Sequence, residues 1–131
     1  MPIKTRLTTN GFEAYLEKIG RAGQDVDAVT DEALQAGGGI LKDGMKRRVA
    51  VDTHNLQNHI ACSLPRADGN VHFVEIGLLK GTDANTARYG GVQEFGSAHT
   101  HAHPYIRPAL DSDMVRARAE MRRVFKERKA I

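Results

Sequence analysis

Tryptophan is absent from the 131 residues, and there are only three tyrosines and four phenylalanines. A core with so few rings must be filled by aliphatic side chains and alanine, with small residues at close helix contacts. A single cysteine, Cys62, excludes an intrachain disulfide and makes a reducing, cytoplasmic setting the default. As a small apolar strand residue it needs no chemical role. No run of about 18 apolar residues exists, so no membrane span is expected. The N-terminal MPIKTRLTTNG also lacks the apolar centre of a signal peptide. Charge of one sign is not dominant either: the net value is +3, with six histidines, which by itself is too mild to mark a nucleic-acid binder. Catalytic signatures are missing, with no GxSxG, HExxH or CxxC, and GGGILKDG lacks the strand and GK[ST] context of a phosphate loop. What is present is a globular balance of 40% apolar and 27% charged residues, which argues against disorder. The length suits one domain over residues 1–131.

Ile3, Thr5 and Leu7 alternate with Lys4 and Arg6, which predicts a short strand. Thr9 and Asn10 are candidate N-caps for a helix whose inner face is Phe12, Tyr15, Leu16 and Ile19. Gly20 and Gly23 mark its end. A longer helix begins near Gln24 or Asp25, with Asp25 and Asp27 at its positive end and Lys46, Arg47 and Arg48 at its negative end. Its stripe is Val26, Val29, Ala33, Ala36, Ile40, Gly44 and Met45. The stripe keeps phase across Gly37, Gly38 and Gly39, so the spacing predicts a continuous helix lying close to another backbone through Ala33, Ala36, Gly37 and Gly44. Residues 49–55 read as a loop. Residues 56–64 and 71–79 read as the strands of a β-hairpin, with the turn at Pro65–Asn70. A short helix is expected over Ala84–Phe95, weakened by Gly90 and Gly91. After a loop over 96–103, Pro108 suits the first turn of a final helix, whose stripe is Leu110, Met114, Ala117, Met121, Val124 and Phe125. The fold class is α+β: a small antiparallel sheet with a β-hairpin, packed by N-terminal helices and a long C-terminal helix.

Two constellations carry potential chemistry. His99, His101 and His103 share one face of an extended segment and would converge on a transition metal, with Glu94 the nearest acid. No supporting ligand framework exists, and a solvated loop explains them. The final helix bears Arg116, Arg122, Arg123, Lys126 and Lys129, a phosphate-contacting set whose binding would weaken with salt. Glu120 and Glu127 interrupt it, and a solvated or subunit-facing surface accounts for the charges. Asp111 and Asp113 sit at the helix start, where the dipole alone favours them. No cofactor is called for.

Two blocks carry a resemblance. The first is Val51-Asp52-Thr53-His54-Asn55-Leu56-Gln57-Asn58-His59-Ile60, similar to PVDTGxLxxSI. The second is Tyr89-Gly90-Gly91-Val92-Gln93-Glu94-Phe95-Gly96-Ser97, followed by His103-Pro104-Tyr105-Ile106-Arg107-Pro108-Ala109-Leu110, similar to YAxxVEFGT…PQPFLRPAL. In this order the blocks resemble the tail-completion, or head–tail joining neck, proteins of long-tailed bacteriophages, in the gene-product-ten-like family of the lambdoid Hong Kong phage. The chain departs from the pattern at Ala50, at His54 and in the loop GSAHTHAH. The resemblance implies a virion protein assembled in the host bacterial cytoplasm, with no substrate. It implies a ring of like subunits, a hexamer or a multiple, whose partners are the tail terminator or tube and the head-closure or connector proteins. On that reading Phe73, Ile76, Leu78, Glu94, Phe95, Tyr105 and Arg107 are expected at subunit or partner contacts. Arg116, Arg122, Arg123 and Lys126 are then expected to face a DNA channel. A DNA-binding module using the last helix is the alternative.

Overall fold

The computed structural model describes residues 3–49, 54–69 and 71–129, without the side chains of His54 and Lys129. Val51, Asp52 and Thr53 of the first block, and the departure at Ala50, lie outside the described residues. In chain order the elements are β1 (Lys4–Thr8), α1 (Glu13–Arg21), α2 (Val26–Arg48), α3 (His54–His59), β2 (Ile60–Cys62), β3 (Arg66–Asp68), β4 (Val71–Leu78), α4 (Ala84–Phe95) and α5 (Ile106–Lys129). The architecture is α+β, a four-stranded antiparallel sheet with helices packed on one face. No helix among the described residues is long and apolar enough to cross a membrane.

β4 is the centre of the sheet. On one side it pairs with β1, Thr8 opposite Phe73 and Lys4 opposite Gly77. On the other it pairs with both β2 and β3, Cys62 opposite Ile76 and Arg66 opposite Phe73. Ser63, Leu64 and Pro65 therefore stand opposite only Val74 and Glu75, a one-residue bulge. Proline has no N–H to lose there, and the Ser63 hydroxyl accepts from the Glu75 N–H at 2.8 Å. The hairpin turn is accordingly shorter than expected. It lies between Asp68 and Val71, with Gly69 at a φ of +63° that favours glycine.

The first hairpin strand also begins later than expected, because residues 54–59 are helical. Leu56 and Ile60, four apart, are both buried, and the polar residues between them suit a strand poorly. Asn55 donates to Thr86 Oγ1 at 2.8 Å and Gln57 to the Lys46 carbonyl at 3.0 Å, which ties this turn to its neighbours. Helix α1 is not capped by Thr9 or Asn10. Instead the Thr9 carbonyl accepts from the Phe12 N–H at 3.0 Å, and Glu13 reaches back to the Gly11 N–H at 2.9 Å.

Helix α2 runs unbroken through its three glycines, capped by Asp25, whose side chain accepts from the Ala28 N–H. It lies between the sheet and α5, antiparallel to α5: Glu32 meets Arg128, Gly37 meets Met121 and Gly44 meets Asp113. Gly37 faces Met121 and Leu7, whereas a Cβ on Gly38 would approach Cys62 Sγ to 2.5 Å. The helix is thus squeezed from both sides, which is why glycine's low helix propensity is tolerated here. On α5 the central buried line is Ala109, Asp113, Ala117, Met121 and Phe125, at steps of four. Leu110 and Met114 flank it, half-buried. Phe125 meets Phe12 at 5.2 Å and Tyr15 at 6.0 Å between ring centroids, which docks α1 on α5.

Candidate assembly interface and the carboxylate clamp behind it

Helix α4 starts at Asp83, whose carboxylate accepts from the Thr86 hydroxyl at 2.8 Å and its N–H at 3.0 Å. Those two bonds, the hydroxyl's first, hold the Asp83 carboxyl below the usual range. Gly90 does not weaken the helix so much as permit its docking. A Cβ there would lie 2.3 Å from Leu78 Cδ1 and 3.0 Å from the Tyr105 hydroxyl, and that hydroxyl donates to the Gly90 carbonyl at 3.2 Å. Burial, and then the neighbouring Glu94 charge, push the Tyr105 phenol above its ordinary pKa.

One turn after Gly90, Glu94 is buried and both its carboxylate oxygens are occupied. Oε1 accepts from the Tyr105 and Ile106 N–H groups at 2.9 and 2.8 Å, and Oε2 accepts from Arg107 N–H at 3.1 Å. These are orphan donors at the start of α5, so a carboxylate from another helix serves as its N-cap. Gly96, at φ +78°, ends α4, and the His103 N–H bonds the Gln93 carbonyl at 2.7 Å. EFG and PYIRPAL are the two halves of one clamp, and residues 97–102 are the loop it closes.

The side chains expected at contacts divide accordingly. Ile76, Leu78 and Tyr105 lie in the chain's own core. Phe73 is buried under the Arg6 guanidinium, 3.8 Å from its ring centroid. Glu94 is spent on the clamp. Phe95 and Arg107 are at the surface, Phe95 with 54% exposure. They border a groove of about 300 Å³ that is completed by Lys4, Thr5, Ile106, Leu110 and Asp111. Its wall at Lys4 and Thr5 belongs to β1, the outer strand of the sheet, whose far side has no strand neighbour among the described residues.

The basic set on α5 is less uniform than its sequence. Arg123 is paired with Glu120 and Glu127, and Arg122 sits 5.9 Å from the Phe12 ring. Lys126 is exposed. Arg116 reaches Asp113 Oδ1 at 3.3 Å. Asp113 is not a helix-start acid in solvent: its side chain is 5% exposed and also accepts from Arg48 at 2.8 Å and Arg47 at 3.4 Å. Its step-of-four relation to Ala117 and Met121 is the signal that marks it as inward-facing. His99 and His101 line a shallow cleft with Ser97, Ala98 and Thr100. No group of three or more His, Cys, Asp or Glu among the described residues is placed to hold a metal ion.

A protein-family model described as "Bacteriophage HK97-gp10, putative tail-component" matches residues 10–96, two-thirds of the chain. The matched segment runs from just before α1 to the Gly96 that ends α4, and leaves α5 outside. No curated protein and no solved structure matches.

Proposed function

The chain belongs to the HK97-gp10-like family of bacteriophage tail components, and on that premise we propose that it is the subunit of a closed ring that completes the tail and joins it to the head. The observation that carries this reading is the half-exposed Phe95 at the rim of a groove beside the sheet's open edge. An aromatic side chain left in water beside the outer strand of a sheet is a feature of a surface awaiting a partner. Leu64, 76% exposed, stands on the bulge at the opposite edge of the same sheet. A groove at one edge and an apolar knob at the other suit a heterologous, head-to-tail contact, which closes into a ring when its rotation allows. We read the ring as a hexamer or a multiple of it, with the tail terminator or tube on one side and head-closure or connector proteins on the other. The alternative, a DNA-binding module using the basic helix α5, has less support, because Glu120 and Glu127 neutralise Arg123 and Arg122 is drawn over Phe12.

Multi-angle light scattering on the purified chain tests the ring. The unaltered protein is expected to elute as a single multimer. Phe95→Asp or Leu64→Asp removes a central contact worth about 2 kcal/mol or more, roughly a 30-fold loss at each interface, and shifts the mass to that of the monomer. A multimer unchanged by both substitutions overturns this contact.

A further inference from the structure

We infer that Arg47, Arg48 and Arg116, gathered around buried Asp113, form a binding site for the phosphate backbone of duplex DNA. Three guanidinium groups from two helices converge on one carboxylate. Only Arg48 is held tightly, at 2.8 Å and 26% side-chain exposure, and it also donates to the Gly44 carbonyl at 2.9 Å. Arg47 and Arg116 donate to Asp113 at 3.4 and 3.3 Å, longer and weaker bonds than Arg48 makes, and their side chains are 54% and 61% exposed. One carboxylate needs one guanidinium. Here three positive charges face one negative charge, a local balance of +2, and counting Asp43 one turn before Arg47 still leaves it positive. Placing the anion underneath relieves repulsion among the cations and fixes them, while the remaining donors of Arg47 and Arg116 face solvent. A planar fork held at one end and open at the other suits a phosphate oxygen. Gly44 makes the arrangement possible, since a Cβ there would be 2.0 Å from Asp113 Oδ2.

The favourable dipole at the C-terminal end of α2 explains the presence of Arg47 and Arg48, but not Arg116, which comes from the neighbouring helix. The site rests on the proposed function only for the source of its phosphates, the duplex that crosses a head–tail junction. Of the expected DNA contacts it keeps Arg116 and replaces Arg122, Arg123 and Lys126 with Arg47 and Arg48, at the junction of α2 and α5.

Fluorescence anisotropy with a labelled duplex, across a salt series, is the test. The unaltered protein is expected to bind with an affinity that falls as salt rises. Replacing both exposed arginines, Arg47→Gln with Arg116→Gln, keeps side-chain length and leaves Arg48 to hold Asp113. This pair is expected to weaken binding at least tenfold and to reduce the log–log salt slope by about 2, at roughly 0.9 per phosphate contact. Arg122→Gln with Lys126→Gln is expected to leave most of the affinity in place. The inference is overturned if the first pair binds as tightly as the unaltered chain, or if the unaltered chain does not bind duplex DNA. Light scattering on the same samples separates the two readings. A ring that ignores DNA sinks this site and leaves the ring standing, whereas a monomer that binds DNA through the arginines does the reverse.

Discussion

Glu94→Ala is expected to destabilise the fold by about 3 kcal/mol or more, since three charge-assisted bonds go and their donors are left without acceptors in a largely water-free corner. The donors at Tyr105 and Ile106 are buried with their residues, so water cannot readily replace the carboxylate. The damage should not stay local. The clamp sets where α5 begins, and α5 supplies the buried line from Ala109 to Phe125. Glu94→Gln keeps one acceptor oxygen but turns an amide NH₂ toward a backbone N–H, and an intermediate loss of about 1–2 kcal/mol is expected. Phe95→Ala, at the next residue but pointing outward, should change stability by about 0.5 kcal/mol or less. Urea unfolding of the three variants orders them. Glu94→Ala as stable as Phe95→Ala would contradict the clamp.

The second large effect is a coupling. Gly44→Ala puts a methyl group into the space of Asp113 Oδ2, an atom held by Arg48. Forcing it away is expected to cost about 1–3 kcal/mol despite alanine's better helix propensity. Asp113→Ala alone strands part-buried Arg48 beside Arg47 and Arg116, at a cost of about 3 kcal/mol. With the carboxylate gone, however, the tight contact that remains for the alanine at 44 is Arg48 Nη1 at 3.2 Å, the far end of a flexible side chain that can move aside. Gly44→Ala in the Asp113→Ala background should then be neutral or stabilising by up to about 1 kcal/mol, the ordinary gain of Gly→Ala in a helix. A thermodynamic cycle on the four proteins should give a coupling of about 2 kcal/mol. Costs that add within about 0.5 kcal/mol would show the two positions to be independent.

How far these features were legible in the sequence follows from how local their causes are. The unbroken α2 was legible because its apolar phase survives the glycines, and β4 because its alternation is regular. Helix α4 was readable in extent, though Gly90 looked like a weakness until Tyr105 and Leu78 were seen against it. The turn before β4 was misplaced because Pro65 signals a break in the ladder, and a bulge breaks the ladder as well as a turn does. Residues 54 and 55 read as loop and 56–59 as strand, because Leu56 and Ile60 fit either period. Side chains of Thr86 and backbone of Lys46, distant in sequence, favour the helix. Of the residues expected at contacts, those on β4 were hard to place for one reason: a strand with apolar residues on both faces offers Phe73 to a partner or to its own arginines equally well. Arg6 and Arg66 lying over the ring, 3.8 and 5.2 Å from its centroid, decide it. Glu94 is the acid nearest the three histidines in sequence, but its partners in space are the N–H groups at the start of α5, which sequence spacing does not reveal. The family itself was visible in EFG and PYIRPAL, and the clamp gives that pairing a physical cause. A glutamate followed by an outward aromatic and a positive-φ glycine ends one helix and caps the next.

The central claim, that this chain joins tails to heads, is tested most directly by electron microscopy of lysates from the phage that encodes it, with this gene deleted. On that claim, filled heads and finished tails lie apart, and joined particles are restored when the intact gene is supplied in trans. Joined, complete virions in its absence would contradict it.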